Sequence, residues 1–392
     1  MTDQEIYRRF IAWLDEQGLP IFNPEEMIPM VKAAFTPGEA ALLTGIPFRG
    51  GTLEELAELK QMAPEELKER LDVLAGKGAI FRTARGDTLH YRLKDTAFIF
   101  YRAMFWPPRA DARSAAVAPL ATQSYSNVHD VFKYIQQKPL RVLPVEGTIE
   151  DTRQIYPFEA AARVLDAKSY FCVSACACRH RMELDPNQPN CRHSLETCLH
   201  FDDLGRYMVE NKLGREITRE EAGEILRRSA EEGLMPALEN ALEDADTICN
   251  CCPCCCSHFH FFHKLGHAEA HNHSNYRLRT NPELCIGCGL CVRRCPMDAL
   301  RLEDAAGTQG RVTAVSDDKG RRKELRNKSG KVAVVNPEIC LGCGVCAYKC
   351  QTKSLVLERR EVITQPPGSQ RERYLMAVKD LEEVGLRQPK GK

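Results

Sequence analysis

Residues 285–296 read CIGCGLCVRRCP and residues 340–350 read CLGCGVCAYKC. Both place their cysteines as C-x2-C-x2-C-x3-C. Each is preceded by an Asn-Pro-Glu run, NPEL at 281–284 and NPEI at 336–339, so the repeat is longer than the cysteines themselves. Three thiols on a tight loop and a fourth on the short helix after it are arranged to grip a metal group. Gly287, Gly289, Gly342 and Gly344 let backbone N–H groups approach whatever the thiolates hold. A zinc ion, which takes four ligands, has no use for the doubled spacing.

Composition agrees with metal ligation. The chain has 392 residues, a length suggesting two or three domains, and 19 of them are cysteine. Lys plus Arg and Asp plus Glu are 54 each, so no net field favours nucleic acid or an anionic membrane. The start, MTDQEIYRRF, lacks the apolar core of a secretory signal. The most apolar stretch, TAFIFYRAMFW (96–106), is too short to span a bilayer and contains Arg102. A cytoplasmic protein is expected, its thiols serving metal rather than disulfides. Residues 1–171 hold no cysteine, five fall in 172–198, six in 249–256 and four in each of the two runs above.

The doubled motif resembles the bacterial two-cluster, 2[4Fe-4S], ferredoxin domain. The resemblance implies a ferredoxin-like (βαβ)2 fold over 276–362 with ALRLE (299–303) and SLVLE (354–358) as short strands. It assigns one [4Fe-4S] cluster to Cys285, Cys288, Cys291 and Cys350 and the other to Cys340, Cys343, Cys346 and Cys295, each fourth cysteine crossing over. Two departures stand out. Gln351 follows Cys350 where Pro296 follows Cys295, and an insertion, 305–330, separates the halves. The insertion carries Arg311, Lys319, Arg321, Arg322, Lys323, Arg326 and Lys328 against Asp317, Asp318 and Glu324. It is expected to be a solvated loop, the alternative being a basic patch that steers an acidic redox partner.

The central region, 151–275, contains FCVSACACRH (171–180), Cys191 and Cys198, and CNCCPCCC (249–256). Cysteines two apart, as 176/178 and 249/251, share one side of an extended strand, whereas vicinal ones point to opposite faces. Cys176, Cys178, Cys191, Cys198, Cys249, Cys251, Cys252, Cys254, Cys255 and Cys256 are therefore candidates for at least one further iron–sulfur cluster, with structural zinc as the alternative. Cys172 is expected to be a core thiol, and Arg179 and His180 are placed either to donate to cluster sulfides or to serve in surface charge–backbone contacts. The segment 258–273 holds six of the eleven histidines; His263, His267 and His271 would share one helix face, as metal ligands, a proton relay or a solvated surface.

The N-terminal region, 1–115, reads as helices at 4–18, 36–46, 52–62 and 64–78, then strands at 79–84 and 88–94 around Gly86. Residues 36–95 resemble a winged helix-turn-helix. Between 52 and 76, however, Glu54, Glu55, Glu58, Glu65, Glu66, Glu69 and Asp72 outnumber Lys60, Lys68 and Arg70, which disfavours DNA and favours a docking module. The hairpin's Arg82, Arg85 and Arg92 leave contact by the wing open. A Pro-rich, irregular stretch follows, with a linker at 116–150; a helix and tail close the chain at 363–392. The whole pattern resembles dicluster iron–sulfur proteins of anaerobes that combine a winged-helix-like N-terminus with a central Cys-rich domain.

The sequence thus predicts an α+β multidomain protein: winged-helix-like, central Cys-rich α/β and ferredoxin-like. Its expected role is an electron carrier or redox subunit, coupling two [4Fe-4S] clusters to a central cluster and a partner oxidoreductase or flavoprotein. Alternatives are a redox-sensing transcription regulator and a reductase whose central cluster acts on a small substrate such as a disulfide. No nucleotide-binding, hydrolase or radical-generating motif is present.

Overall fold

The computed structural model describes residues 1–125, 130–151, 155–266, 271–316 and 320–387. The chain divides into two compact units, each assembled from separated segments. The first comprises Met1–Gln136, Ser169–Thr218 and Tyr374–Lys392; the second, Gln137–Lys168 and Arg219–Arg373.

The first unit opens with the helix Asp3–Gln17, whose Thr2 and Glu5 form a capping box and whose Tyr7, Phe10, Ile11 and Leu14 are buried. Helices Pro37–Leu43, Leu53–Lys60 and Pro64–Gly76 follow as expected, then the hairpin Ile80–Arg85 and Thr88–Leu93. A two-residue strand, Gly51–Thr52, adds to this hairpin, giving the strand order 51–52, 88–93, 80–85. Two helices go beyond the sequence expectation. Pro24–Ala34 has Pro29 inside it, and Ala112–Gln123, expected to be irregular, has Pro119. Both start from residues that suit a helix's first turn: Pro24 at its first position, and Asp111 accepting from the Ser114 N–H at 2.6 Å. The apolar run 96–106 is core, with Phe98, Ile99, Phe100, Phe105 and Trp106 all buried.

A second antiparallel set in this unit pairs Phe171–Ala175 with Glu196–Phe201 on one side and Arg215–Glu216 on the other. In the C-terminal helix Gln370–Glu383, Ala377 and Leu381 are buried, and Tyr374 Oη donates to the Gln17 carbonyl at 3.1 Å.

The second unit joins two pieces around shared cores. Strands Leu140–Val142, Met235–Glu239 and Thr247–Cys251 form an antiparallel set with Met235–Glu239 in the middle. Beyond them lies a duplicated fold. Tyr276–Thr280 pairs with Leu355–Arg359, Leu300–Asp304 pairs with Lys331–Val335, and short helices Leu290–Arg294 and Val345–Tyr348 lie in the two halves. One core contains Leu140, Val142, Met235 and Phe259 together with Met297, Leu341, Cys343 and Val345. The Val145 N–H donates to the Cys343 carbonyl at 2.9 Å. The duplicated region is therefore built into its neighbours.

Two expectations change here. The insertion is largely a hairpin, Val312–Ser316 paired with Arg322–Arg326, not an irregular loop; alternating Val312, Ala314 and Ser316 outward suits a two-stranded ribbon. Residues 317–319 lie outside the described residues. The helix Ser257–Leu265 stops at Gly266, which is left-handed, so His263 and His271 do not share a helix face. His267 lies outside the described residues.

Candidate metal centres

In both ferredoxin-like halves the repeated Asn-Pro-Glu run has a structural cause. The Asn281 side chain accepts from the Glu283 N–H and the Asn336 side chain from the Glu338 N–H, each at 3.0 Å, turning the chain into the cysteine loop. Gly287 (φ 61°) and Gly342 (φ 72°) then take left-handed backbone. A Cβ on Gly342 would strike the Tyr276 carbonyl oxygen, and one on Gly287 would lie 2.5 Å from the Lys331 carbonyl oxygen. Glycine is required for close approach as well as for backbone angle.

Cys285, Cys288, Cys291 and Cys350, with Cys346, line one cavity of about 230 Å³. Cys295, Cys340, Cys343 and Cys346 line a second, tighter one of about 20 Å³, walled by Leu278, Leu300, Leu341 and Leu357. Donors already face the sulfurs. Cys285 Sγ accepts from the N–H of Gly287 at 3.5 Å and of Ala333 at 3.4 Å, and Cys295 Sγ from that of Ala299 at 3.2 Å. Hydroxyls of Thr352 and Ser354 lie 3.7 and 3.3 Å from Cys350 Sγ. Such donors stabilise thiolates and sulfides, so these residues suit negatively charged clusters. Without a metal, burial pushes the Cys291 thiol up to about 11 and the Cys343 and Cys346 thiols higher still. Binding must displace those protons.

The CNCCPCCC run starts on a strand and ends at a helix. Cys249 and Cys251 lie on Thr247–Cys251; the Cys256 N–H donates to the Cys252 carbonyl at 3.1 Å, and Cys256 caps Ser257–Leu265. Cys251, Cys252, Cys255 and Cys256 are buried, Cys249 is half-buried and Cys254 is exposed. Hydrogen bonding with Cys249 and Cys256, then burial, raise the Cys251 thiol well above its ordinary range.

One neighbour was visible in sequence but wrongly placed. His271, 2% exposed, brings a ring nitrogen within 4.8 Å of Cys251 and Cys256 Sγ. It is positioned by Asn272, whose carbonyl accepts from Val142 N–H at 2.9 Å and whose N–H donates to the Leu140 carbonyl at 3.0 Å. Burial, with His258 and His273 nearby, pushes its pKa well below the ordinary value, so the ring is neutral. His263 points elsewhere, its Nε2 donating to the Pro296 carbonyl at 2.9 Å, beside Cys295.

The remaining cysteines belong to the first unit. Cys172 is fully buried in Phe171–Ala175, its thiol pushed up to about 12 by desolvation. Cys176 caps the helix Ala177–Leu184, Cys178 lies within that helix, Cys191 lies in a loop and Cys198 is buried in Glu196–Phe201. Arg179 reaches Thr197 Oγ1, and His180 Nδ1 donates to the Phe105 carbonyl at 2.9 Å. Both residues are anchored by these bonds and buried, so the contacts are internal and not at the surface.

Comparison with known proteins locates a 4Fe-4S dicluster domain at residues 284–354. Ferredoxin-3 of Rhodobacter capsulatus is 31% identical over 78 residues, 20% of this chain and 76% of that protein. Ferredoxin-3 of Nostoc sp. is 37% identical over 67 residues, 17% of this chain and 61% of that protein. The pyruvate-flavodoxin oxidoreductase of Rhodospirillum rubrum is 29% identical over 109 residues, 27% of this chain but 9% of that enzyme. No solved structure matches the chain. Through its C-terminal domain, with its two matched runs of four cysteines, the chain belongs to the 4Fe-4S dicluster ferredoxin family.

Proposed function

We propose that this protein is an electron carrier or redox subunit, the electron-transfer component of an oxidoreductase system. Cys285, Cys288, Cys291 and Cys350 ligate one [4Fe-4S] cluster; Cys340, Cys343, Cys346 and Cys295 ligate the other. The observation that carries this reading is the gathering of eight cysteines around two cavities, Cys346 lining both, with N–H donors facing the sulfurs. Cys343 shares a core with Cys251 and Cys256, which sets the second cluster beside the central cysteine run. The partner is an oxidoreductase or flavoprotein; the similarity to a segment of a pyruvate-flavodoxin oxidoreductase supports that class. No helix among the described residues is long and apolar enough to cross a membrane.

Anaerobic purification with iron and sulfide counting and EPR tests this. About eight irons per chain would mean the ferredoxin clusters alone, and about twelve or more would mean the central cysteines are loaded with iron as well. An iron-free protein after strictly anaerobic work would overturn the reading.

A second reading, a redox-responsive DNA-binding regulator, is favoured by one observation. Helices 37–43, 53–60 and 64–76 with the three-stranded sheet follow winged-helix order. Charge pairing opposes it: Lys68 bonds Asp72 at 2.7 Å, Arg70 bonds Glu66 at 2.6 Å, and Arg82 bonds Asp72 and Glu210 at 2.9 and 3.0 Å. Cations already paired with carboxylates have little left for phosphates. A salt-dependent gel shift with the full chain would revive that reading.

A further inference from the structure

We infer that Cys249, Cys251, Cys256 and His271 form a closed, tetrahedral site for one divalent ion of the zinc class, separate from both ferredoxin clusters.

The donors come first. A ring nitrogen of His271 and the Sγ atoms of Cys251 and Cys256 all lie within 4.8 Å of one another. Cys249, two residues before Cys251 on the same strand, brings a third sulfur into hydrogen-bonding contact with Cys251. The set holds sulfur and nitrogen, a combination that selects zinc-class ions over magnesium or calcium.

Spacing then decides between one ion and a cube. A tetrahedral ion with bonds of about 2.3 Å to sulfur holds its sulfurs roughly 3.8 Å apart, and the Cys251 and Cys256 Sγ atoms lie within 4.8 Å of each other. Cys249, outside that limit to at least one of the three, closes in from its contact with Cys251 as the fourth ligand. Thiols drawn this close leave room for one ion between them.

An independent observation points to the same ligand. His271 is 2% exposed, and its Nε2 has no hydrogen-bond partner among the described residues. A buried ring nitrogen without a partner is costly, and a metal bond removes the cost. The ring is held in place without any metal, because Asn272 is bonded into the Leu140–Val142 strand. Phe259, Met235, Ala237 and Leu140 share the buried cluster with Cys251 and Cys256, and four protein ligands fill a tetrahedral ion, as in a structural site rather than a catalytic one. Its ion would fasten three segments, around 249–251, 256 and 271, to the core that also contains Cys343.

The test uses the full chain, purified anaerobically, with zinc and iron counted separately so that this site and the iron–sulfur reading fail independently. We expect about one zinc per chain besides the iron. His271→Ala should lose that zinc while iron content and ferredoxin EPR signals stay unchanged. His271→Cys should keep it. With cobalt in place of zinc, the parent should show intense tetrahedral d–d bands, and His271→Cys should strengthen the thiolate-to-cobalt absorption; this spectrum decides if the alanine variant does not fold. Retention of zinc by His271→Ala would overturn the inference. So would loss of about four irons in that variant, which would indicate a cluster with a histidine ligand.

Discussion

Cys288 and Cys343 hold equivalent positions in the two halves of the duplicated fold, yet Cys288 is exposed and Cys343 is buried. Around Cys343 lie Val142, Met235, Phe259 and Val345, three of which come from outside the repeat. The first cavity has apolar walls too, Leu290, Leu302 and Leu355 among them, but adds the polar groups Arg293, Lys349, Gln351 and Thr352. One motif repeated thus gives its second cysteine an exposed place in one half and a buried one in the other.

Replacing the equivalent cysteines should separate the halves most widely. Cys343→Ser removes a proposed ligand and leaves an unpaired hydroxyl in the core, so we expect loss of about four irons and collapse of the second unit. Cys288→Ser should cost at most about four irons, or convert one cluster to a three-iron form seen by EPR, with the fold kept. Equal damage from both would break the contrast.

Alanine at the loop glycines comes next. Positive φ alone costs about 1–2 kcal/mol for a residue with a Cβ. Gly342→Ala adds a collision with the Tyr276 carbonyl oxygen and a 2.5 Å contact with Ser274 Oγ, and should lower thermal stability more than any single exposed substitution. Iron retention after a heat challenge measures it.

Arg294 and Lys349 are also equivalent in the two motifs. Arg294 donates to the carbonyls of Val345, Glu231 and Ala230 at 3.0, 3.1 and 2.7 Å, satisfying the end of the helix Arg219–Glu232. Arg294→Met should therefore cost about 1–3 kcal/mol. Lys349 pairs with the half-exposed Glu231, and Lys349→Met should cost about 1 kcal/mol or less. Chemical denaturation of the two variants would show whether burial sets the order.

Thiol labelling of metal-free protein gives the smallest effect, a difference in rate. Cys288 should be alkylated early, together with the exposed Cys254, and Cys343 slowly. Cys172 should react only on unfolding, because burial raises its thiol from 9.0 to about 12. The sign follows: the unfolded thiol loses its proton at lower pH than the folded one. This contribution to stability is intact below about pH 9 and disappears as pH rises toward 12.

The sequence showed the metal chemistry of the C-terminal domain because that information is local. Thiol spacing, the loop glycines and the short helix all lie within about a dozen residues, and duplication doubled the signal. It also showed most N-terminal helices, through capping residues and apolar periodicity. It missed Pro24–Ala34 and Ala112–Gln123, where tertiary burial of Met27, Val31, Val117 and Ala121 outweighs an internal proline. The regular spacing of His263, His267 and His271 suggested one helix face, but Gly266 ends the helix and Asn272 carries His271 to the thiols.

By itself, then, the sequence showed two matched runs of four cysteines and pointed to dicluster ferredoxins. Only the tertiary structure decided that Cys343 is buried where Cys288 is exposed, and that His271 joins Cys251 and Cys256. Ligand spacing along a loop is fixed by covalent geometry and local backbone angles. Burial, and the meeting of residues fifteen or more positions apart, depend on how distant segments pack, which no local pattern encodes.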